Sequence, residues 1–136
     1  KVAAADINIA IRSAKTGKDE AFLKRALCEC DSLDINRLIQ STLEGIDSIY
    51  NYLLTTDYAD AVPALMESSQ AFERWFDNRI IEYIKPQKYN PFTFSPLAAY
   101  LLARENEIKT VRILLSGKRN DISDDIIRER LREMYV

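Results

Sequence analysis

The chain contains no histidine, so its candidates for acid–base or metal chemistry are carboxylates and thiols. The absence of histidine removes the commonest general base and the usual nitrogen ligand of zinc or iron. Cys28 and Cys30 are two residues apart. On a helix this spacing turns them about 200° away from each other, so a disulfide between them is not expected. Two thiolates without further ligands also make a poor metal site. We therefore predict two reduced cysteines, no metal and no other cofactor.

Glu105 and Glu107 are the remaining candidates for acid–base chemistry. They stand about 200° apart on a helix, so they cannot act on one substrate as a couple. Their spacing suits ion pairs instead, from Glu105 to Lys109 and from Arg104 to Glu107. Two interpretations stay open. These residues and Arg112 either form a solvated, self-paired surface, or a polar network that fixes the register of packed helices.

No glycine pattern of a phosphate-binding loop is present, because neither G-x-x-x-x-G-K-[ST] nor G-x-G-x-x-G occurs. With no such loop, no histidine and no carboxylate couple, an enzyme is the least favoured class of function.

The charged residues lie on one long predicted helix, residues 95–117. Ser95 is a suitable N-cap, and Pro96 suits the first helical position. Gly117 is predicted to end the helix by adopting the left-handed conformation. Residues 97–103 are apolar on every side, so the first half of this helix should be buried all round.

The rest of the chain also shows helical patterns and no sustained strand alternation. Residues 2–16 form a predicted helix that Gly17 ends, and a capping box at Ser41 and Glu44 opens another. Ser123 is expected to cap the last helix. The sequence therefore predicts an all-α, repeat-like bundle of about six to seven helices, in one helical domain over residues 1–136.

A helix followed by a glycine stop and a short amphipathic helix occurs twice, which indicates an internal repeat. Beyond the glycines, residues 23–27 resemble residues 127–131 after a slip of four positions. Chance similarity between two helix–glycine–helix units is the alternative. The aligned pairs are Gly17 with Gly117, Asp6 with Asn106, and Ile11 with Val111.

Charge and hydropathy exclude two kinds of partner. The net charge is −2, and Asp121, Asp124 and Asp125 would repel phosphates at the start of the last helix, so no nucleic-acid partner is expected. No uncharged apolar run approaches the roughly 20 residues of a membrane span, so no direct membrane span is expected.

One stretch of the sequence, residues 96–118, resembles a known family. Its order and spacing are similar to the C-terminus of the C subunit of the V-type (A/V-type) rotary ATPases, called the d subunit in eukaryotes. The resemblance covers the last third of the chain strongly and the preceding helices loosely. The matching residues are Pro96, Leu97, Tyr100, Glu105, Glu107, Ile108, Arg112, Gly117 and Lys118.

The resemblance implies a funnel of three helical repeats that acts as a non-catalytic rotor adapter. Its implied partners are the central-shaft subunits and the membrane proteolipid ring, and its implied location is cytoplasmic and peripheral to the membrane. The adapter would pass torque between ATP turnover and the transport of protons or sodium ions. An unrelated helical scaffold or regulatory module that binds a partner helix is the leading alternative, and a DNA-binding regulator comes third.

The chain has no initiator methionine, and the family is more than twice its length, so we expect a fragment. Residues 1–33 would be the tail of one repeat, and residues 34–136 would be the following repeat. A cut between repeats should expose an apolar patch near Ile7 and Ile11 and favour self-association of the fragment.

Overall fold

The fold is all-α, as predicted, in a computed structural model that describes residues 1–90 and 92–135. Within those residues it has eight α-helices, two short 3-10 helices and no strand. The predicted number of helices is slightly low. In chain order the α-helices are α1 (Val2–Thr16), α2 (Glu20–Ala26), α3 (Ile35–Glu44), α4 (Ile46–Leu53), α5 (Val62–Glu67), α6 (Ser69–Ile84), α7 (Ser95–Arg119) and α8 (Asp124–Arg130), and the 3-10 helices are Ala59–Ala61 and Lys85–Tyr89.

The division between α3 and α4 falls at Gly45, where the sequence predicted one helix opening at Ser41. Ser41 lies inside α3, so the predicted capping box with Glu44 is wrong. The N-cap of α3 is Asp34, whose carboxylate accepts from the Arg37 N–H at 3.1 Å. Gly45 has a φ of 129°, a conformation open to glycine alone, and this interrupts the helix.

The described residues form two compact units, Lys1–Ser69 and Gln70–Val136. In the first unit, α1 packs against α2, α3 and α4. Ile7 is fully buried and Ile11 is 6% exposed, so the expected apolar patch at these two residues is wrong. The other fully buried aliphatic side chains of this unit are Leu23, Leu38, Ile49 and Leu53.

In the second unit, α7 packs against α8 and against the 3-10 helix Lys85–Tyr89. Its core joins Ile81 and Ile84 of α6 to Ala99 and Ala103 of α7. Ala99 and Ala103 therefore mark the buried side of α7.

The two long helices end in the same way but at different residue types. Gly17 follows α1 with a φ of 62°, and the Lys18 N–H donates to the Ser13 carbonyl at 3.1 Å. After α7, Asp121 takes the left-handed conformation with a φ of 54°, and the Ile122 N–H donates to the Gly117 carbonyl at 3.0 Å. Both are Schellman-type ends, in which the turn satisfies carbonyls of the last helical turn.

Gly117 is therefore not the end of α7, which continues to Arg119; the predicted stop is wrong, because the left-handed residue is Asp121. The glycine is explained by packing instead. A Cβ at position 117 would lie 2.6 Å from Cγ1 of Ile127, which is buried on α8. The absence of a side chain lets α8 cross α7 closely.

The short helices recur at an interval that differs from the one predicted for the glycines. The first residue of α8 lies 104 residues after the first residue of α2, and the same interval separates their last residues. The interval also relates the left-handed residues Gly17 and Asp121, and the N-caps Asp19 and Ser123. The slip of four residues thus lies inside α7, as about one extra helical turn.

Candidate functional site: the two sides of the long helix

Two of the predicted charged residues of α7 pair with each other along the helix, and a third pairs with α6. The Arg104 Nη1 lies 2.5 Å from the Glu107 Oε2, an ion pair within the helix at the predicted spacing. The Lys109 Nζ lies 2.7 Å from the Asp77 Oδ1 on α6. Glu105 and Arg112 are exposed. Lys109 therefore forms an ion pair between packed helices, and the sequence pattern did not indicate its partner Asp77.

Asp77 is the centre of an ion network that sequence reasoning missed. Its Oδ2 lies 3.0 Å from the Arg132 Nε, beyond the end of α8. The side chains of Asp77 and Arg132 are only 11% and 9% exposed, so neither charge is well solvated. We call Asp77, Lys109 and Arg132 the Asp77 network. No local spacing predicts it, because Arg132 is 55 residues from Asp77 along the chain.

Backbone contacts fix the segment that follows α8. The Glu133 N–H donates to the Asn78 Oδ1 at 2.9 Å, and the Glu133 carbonyl accepts from the Asn106 Nδ2 at 2.7 Å. Within α8 itself, the Glu129 carbonyl accepts from Arg74. Side chains of α6 and α7 therefore hold the chain after α8 by its backbone as well as by Arg132.

The first unit holds its corresponding segment with one buried carboxylate. The Asp6 Oδ1 accepts from the Cys28 N–H at 3.1 Å, just after α2. Asp6 is buried, and its Oδ2 has no hydrogen-bond partner among the described residues. Asp6 and Asn106, which the sequence alignment paired, thus share one role: each ties its long helix to the segment after the short helix.

The two cysteines lie outside any helix, which corrects the expected helical spacing. Helix α2 ends at Ala26, and Leu27 adopts an extended conformation with a ψ of 142°. Cys28 and Cys30 are free thiols. In residues 1–90 and 92–135, no cluster of His, Cys, Asp and Glu side chains could hold a metal ion.

The opposite side of α7 is an apolar surface open to solvent. Leu97 and Leu101 are 60% and 59% exposed, so the expectation that residues 97–103 are buried on every side is wrong. Ala99 and Ala103 lie in the core. The side of α7 that carries Leu97 and Leu101 was expected to complete that core and instead faces outward. We call the following residues the exposed face of α7: Leu97, Leu101, Ile108, Val111 and Leu115.

The exposed face of α7 has the spacing of a coiled-coil seam. Its residues recur at intervals of three, four or seven, as expected of a helix side that packs along another helix. Arg104 occupies the one polar position of the seam, with Glu107 beside it. The helix is about 37 Å long, so a partner helix of several turns fits on it.

At the far end of α7, Lys118 forms an ion pair with Asp124 on α8. The hydrogen bond from Lys118, together with its positive charge, lowers the pKa of the Asp124 carboxyl. This pair is exposed, and it links the two helices on the surface near Gly117.

No helix in the described part of the chain is long and apolar enough to cross a membrane. An all-α chain built of repeated helical units, with a long apolar helix face left exposed, is typical of one component of a larger assembly. The sequence model of the ATP synthase (C/AC39) subunit family matches residues 1–130. The chain therefore belongs to that family.

Individual relatives agree with this assignment. The chain is 27% identical over 122 residues to the C subunit of the V-type sodium ATPase of Enterococcus hirae, covering 87% of this chain and 37% of that protein. It is 29% identical over 93 residues to the C subunit of the A-type ATP synthase of Haloquadratum walsbyi, covering 66% of this chain and 27% of that protein. The chain thus spans about a third of the length of these relatives. No solved structure shows significant similarity to it.

Proposed function

We propose that this chain is part of a non-catalytic rotor adapter, which links the central shaft of a rotary ATPase to its membrane proteolipid ring. In this role it couples ATP turnover to the transport of protons or sodium ions. The observation that supports the proposal is the family match over residues 1–130. The adapter is proposed to act on the cytoplasmic side, peripheral to the membrane.

Stiffness under torque is the physical requirement of such an adapter, and the second unit has features that supply it. The Asp77 network joins α6, α7 and the segment after α8, and its Asp77–Arg132 pair is nearly buried. Charges that are held in register inside a low-dielectric environment resist sliding, because any displacement leaves one of them unpaired.

We assign the exposed face of α7 to a helix of the central shaft. A seam with coiled-coil spacing is complementary to another helix and to few other shapes. The recurrence of α1–α2 as α7–α8 supports a protein built of helical repeats, and we propose the division at residue 33 as one of its boundaries.

Reconstitution tests the proposal. Full-length protein carrying this sequence should restore ATP-driven ion transport to membranes depleted of the C subunit, while the purified protein hydrolyses no ATP. A variant with Leu101→Glu and Leu115→Glu should fail to rebind the shaft. The matched control, Leu54→Glu with Met66→Glu, changes two exposed residues of the first unit and should rebind normally.

Failure of the unmodified full-length protein to rejoin a depleted rotor would overturn the adapter proposal. It would favour the alternative, a helical scaffold or regulatory protein-binding module. Normal rebinding of the Leu101→Glu, Leu115→Glu variant would instead retain the adapter and remove α7 as its shaft contact.

A further inference from the structure

From the last turn of α6 to the start of α7 the chain exposes large aromatic side chains that no part of the second unit's core uses. Phe92 and Phe94 are 97% and 88% exposed, and Tyr83 and Tyr89 are also exposed. We call these four residues, with Lys85 and Lys88, the aromatic segment. Full exposure of several aromatic rings in one short stretch is costly in water and marks an interaction surface.

The charge of this region is uniformly positive along the sequence. Residues 83–104 contain no aspartate or glutamate, although the chain has 21 acidic residues in total. Lys85 and Lys88 lie within the aromatic segment, and the Lys88 Nζ lies 5.1 Å from the centre of the Tyr89 ring. The surface therefore combines aromatic rings with ammonium groups.

Two acidic groups lie beside the segment without belonging to it. Glu82 precedes it and is exposed, and the Glu133 carboxylate is 4.0 Å from the Lys85 Nζ. An exposed pair at that distance interacts weakly. Both lysines therefore keep most of their attraction for an external anion.

A folded base holds the aromatic segment in place. Ile84, between Tyr83 and Lys85, is buried in the core with Ile81. The 3-10 helix Lys85–Tyr89 packs against α7. Phe92 and Phe94 follow this helix and precede the first turn of α7, so they project from a structured support.

We propose that the aromatic segment docks on the surface of an anionic phospholipid bilayer. Aromatic rings favour the boundary between headgroups and acyl chains, and lysine reaches from there to anionic headgroups. A protein interface is less well matched, because lysine is depleted in such interfaces relative to arginine. The segment would rest on the membrane without crossing it. This inference goes beyond the adapter role and does not depend on it.

Vesicle sedimentation with the purified chain tests the proposal without any other protein. The probes are vesicles of phosphatidylcholine alone and vesicles that also contain phosphatidylglycerol. We expect the chain to pellet with the anionic vesicles more strongly than with the neutral ones, and to bind them less as salt is added.

Two variants separate the contributions. Phe92→Ser with Phe94→Ser should weaken binding to anionic vesicles at least tenfold, since each exposed ring loses its burial in lipid. Lys85→Gln and Lys88→Gln should each weaken it about fivefold. Leu54→Ser with Met66→Ser removes as many exposed apolar side chains from the first unit and should leave binding unchanged.

The changed positions of the phenylalanine variant are exposed, so its thermal unfolding should match that of the unmodified chain. Absence of vesicle binding, or equal binding by the Phe92→Ser, Phe94→Ser variant, would overturn the proposal. The proposal would also be overturned if the Phe92→Ser, Phe94→Ser variant bound both kinds of vesicle as the unmodified chain does but failed to join the rotor. The segment would then be a protein interface. The vesicle measurements do not bear on whether the unmodified full-length protein rejoins a depleted rotor.

Discussion

The two units of this chain use the same long helix, left-handed turn and short helix, but they cover the long helix differently. In the first unit, α3 and α4 pack against α1, and Ile11 is only 6% exposed. In the second unit, the aligned residue Val111 is 51% exposed. The same motif thus closes a core in one unit and leaves an apolar helix face exposed in the other.

The two units also differ in the polar contacts that hold the segment after the short helix. Asp6 holds the segment after α2 in the first unit. In the second unit, Asn78, Asn106 and the Asp77 network share that work. A long helix that is packed on one side needs additional polar contacts there, because apolar burial from its other side is missing.

The largest expected effect comes from breaking the Asp77 network. Asp77→Ala leaves the nearly buried guanidinium of Arg132 without its partner, which should cost about 3 kcal/mol of unfolding free energy. Urea unfolding measures the loss. Glu107→Ala is the matched control, because it removes a carboxylate from the exposed pair with Arg104 and should cost about 0.5 kcal/mol or less. Equal losses in both variants would show that the network contributes no more than a surface pair.

A smaller effect is expected at Asp6, the counterpart of Asn106. Asp6→Ala leaves the Cys28 N–H without its acceptor and should cost about 2 kcal/mol. Asp6→Asn introduces the residue type of Asn106, and its amide oxygen can still accept from the Cys28 N–H, so it should cost less than the alanine change. Thermal unfolding compares the two variants. A loss from Asp6→Asn as large as that from Asp6→Ala would show that the charge itself is required, and that the two polar residues are not equivalent.

The crossing of the short helix over the long one gives a third test. Gly117→Ala places a methyl group against the buried Ile127, and the clash outweighs the gain in helix propensity, for a net loss of about 1 kcal/mol. Ser116→Ala, at the exposed neighbouring position, should change stability little. In a double-mutant cycle, Ile127→Ala should make Gly117→Ala less harmful. Additive losses would mean that α8 does not depend on the missing side chain.

Local signals predicted much of the fold. The left-handed residue Gly17 follows from a rule that involves a few neighbouring residues. Helix α8 begins after Ser123 as predicted, although the Ser123 side chain makes no cap hydrogen bond. The alignment of Asp6 with Asn106 also anticipated two residues with one structural role. What failed was the placement of Gly117, because a glycine required by a neighbouring helix looks the same in sequence as one that ends a helix.

The candidate site was less predictable because it depends on contacts between distant residues. Asp77 lies on the polar side of an amphipathic helix and looks solvated until Arg132 is placed beside it. The apolar residues of α7 predict burial, but sequence cannot say whether the burying surface is in the same chain. Leu97 and Leu101 are apolar but exposed, so an apolar sequence pattern does not establish burial where a helix has two apolar sides.

The smallest expected effect concerns the exposed ion pair that joins α7 to α8. The corresponding residue of the first unit, Glu20, pairs within its own helix, 2.7 Å from Lys24. In the second unit, Lys118 reaches from the long helix to Asp124 and lowers the pKa of that carboxyl below its ordinary value of 3.8. Because the folded-state pKa is the lower one, the stabilisation is present above pH 3.8 and is lost as the pH falls through the folded-state pKa.

An NMR titration of the Asp124 carboxyl carbon measures this directly. Lys118→Gln should return the pKa of Asp124 towards 3.8, whereas Lys15→Gln, a change on the first long helix, should leave it lowered. Added salt should shrink the difference between the unmodified chain and Lys118→Gln, because the pair is exposed to solvent. An Asp124 pKa that stays equally low in Lys118→Gln would assign the shift to the position of Asp124 in the first turn of α8. In that case the Lys118–Asp124 pair would not distinguish the α7–α8 crossing from the crossing of α1 and α2. The close packing at Gly117 would then be the difference between the two crossings.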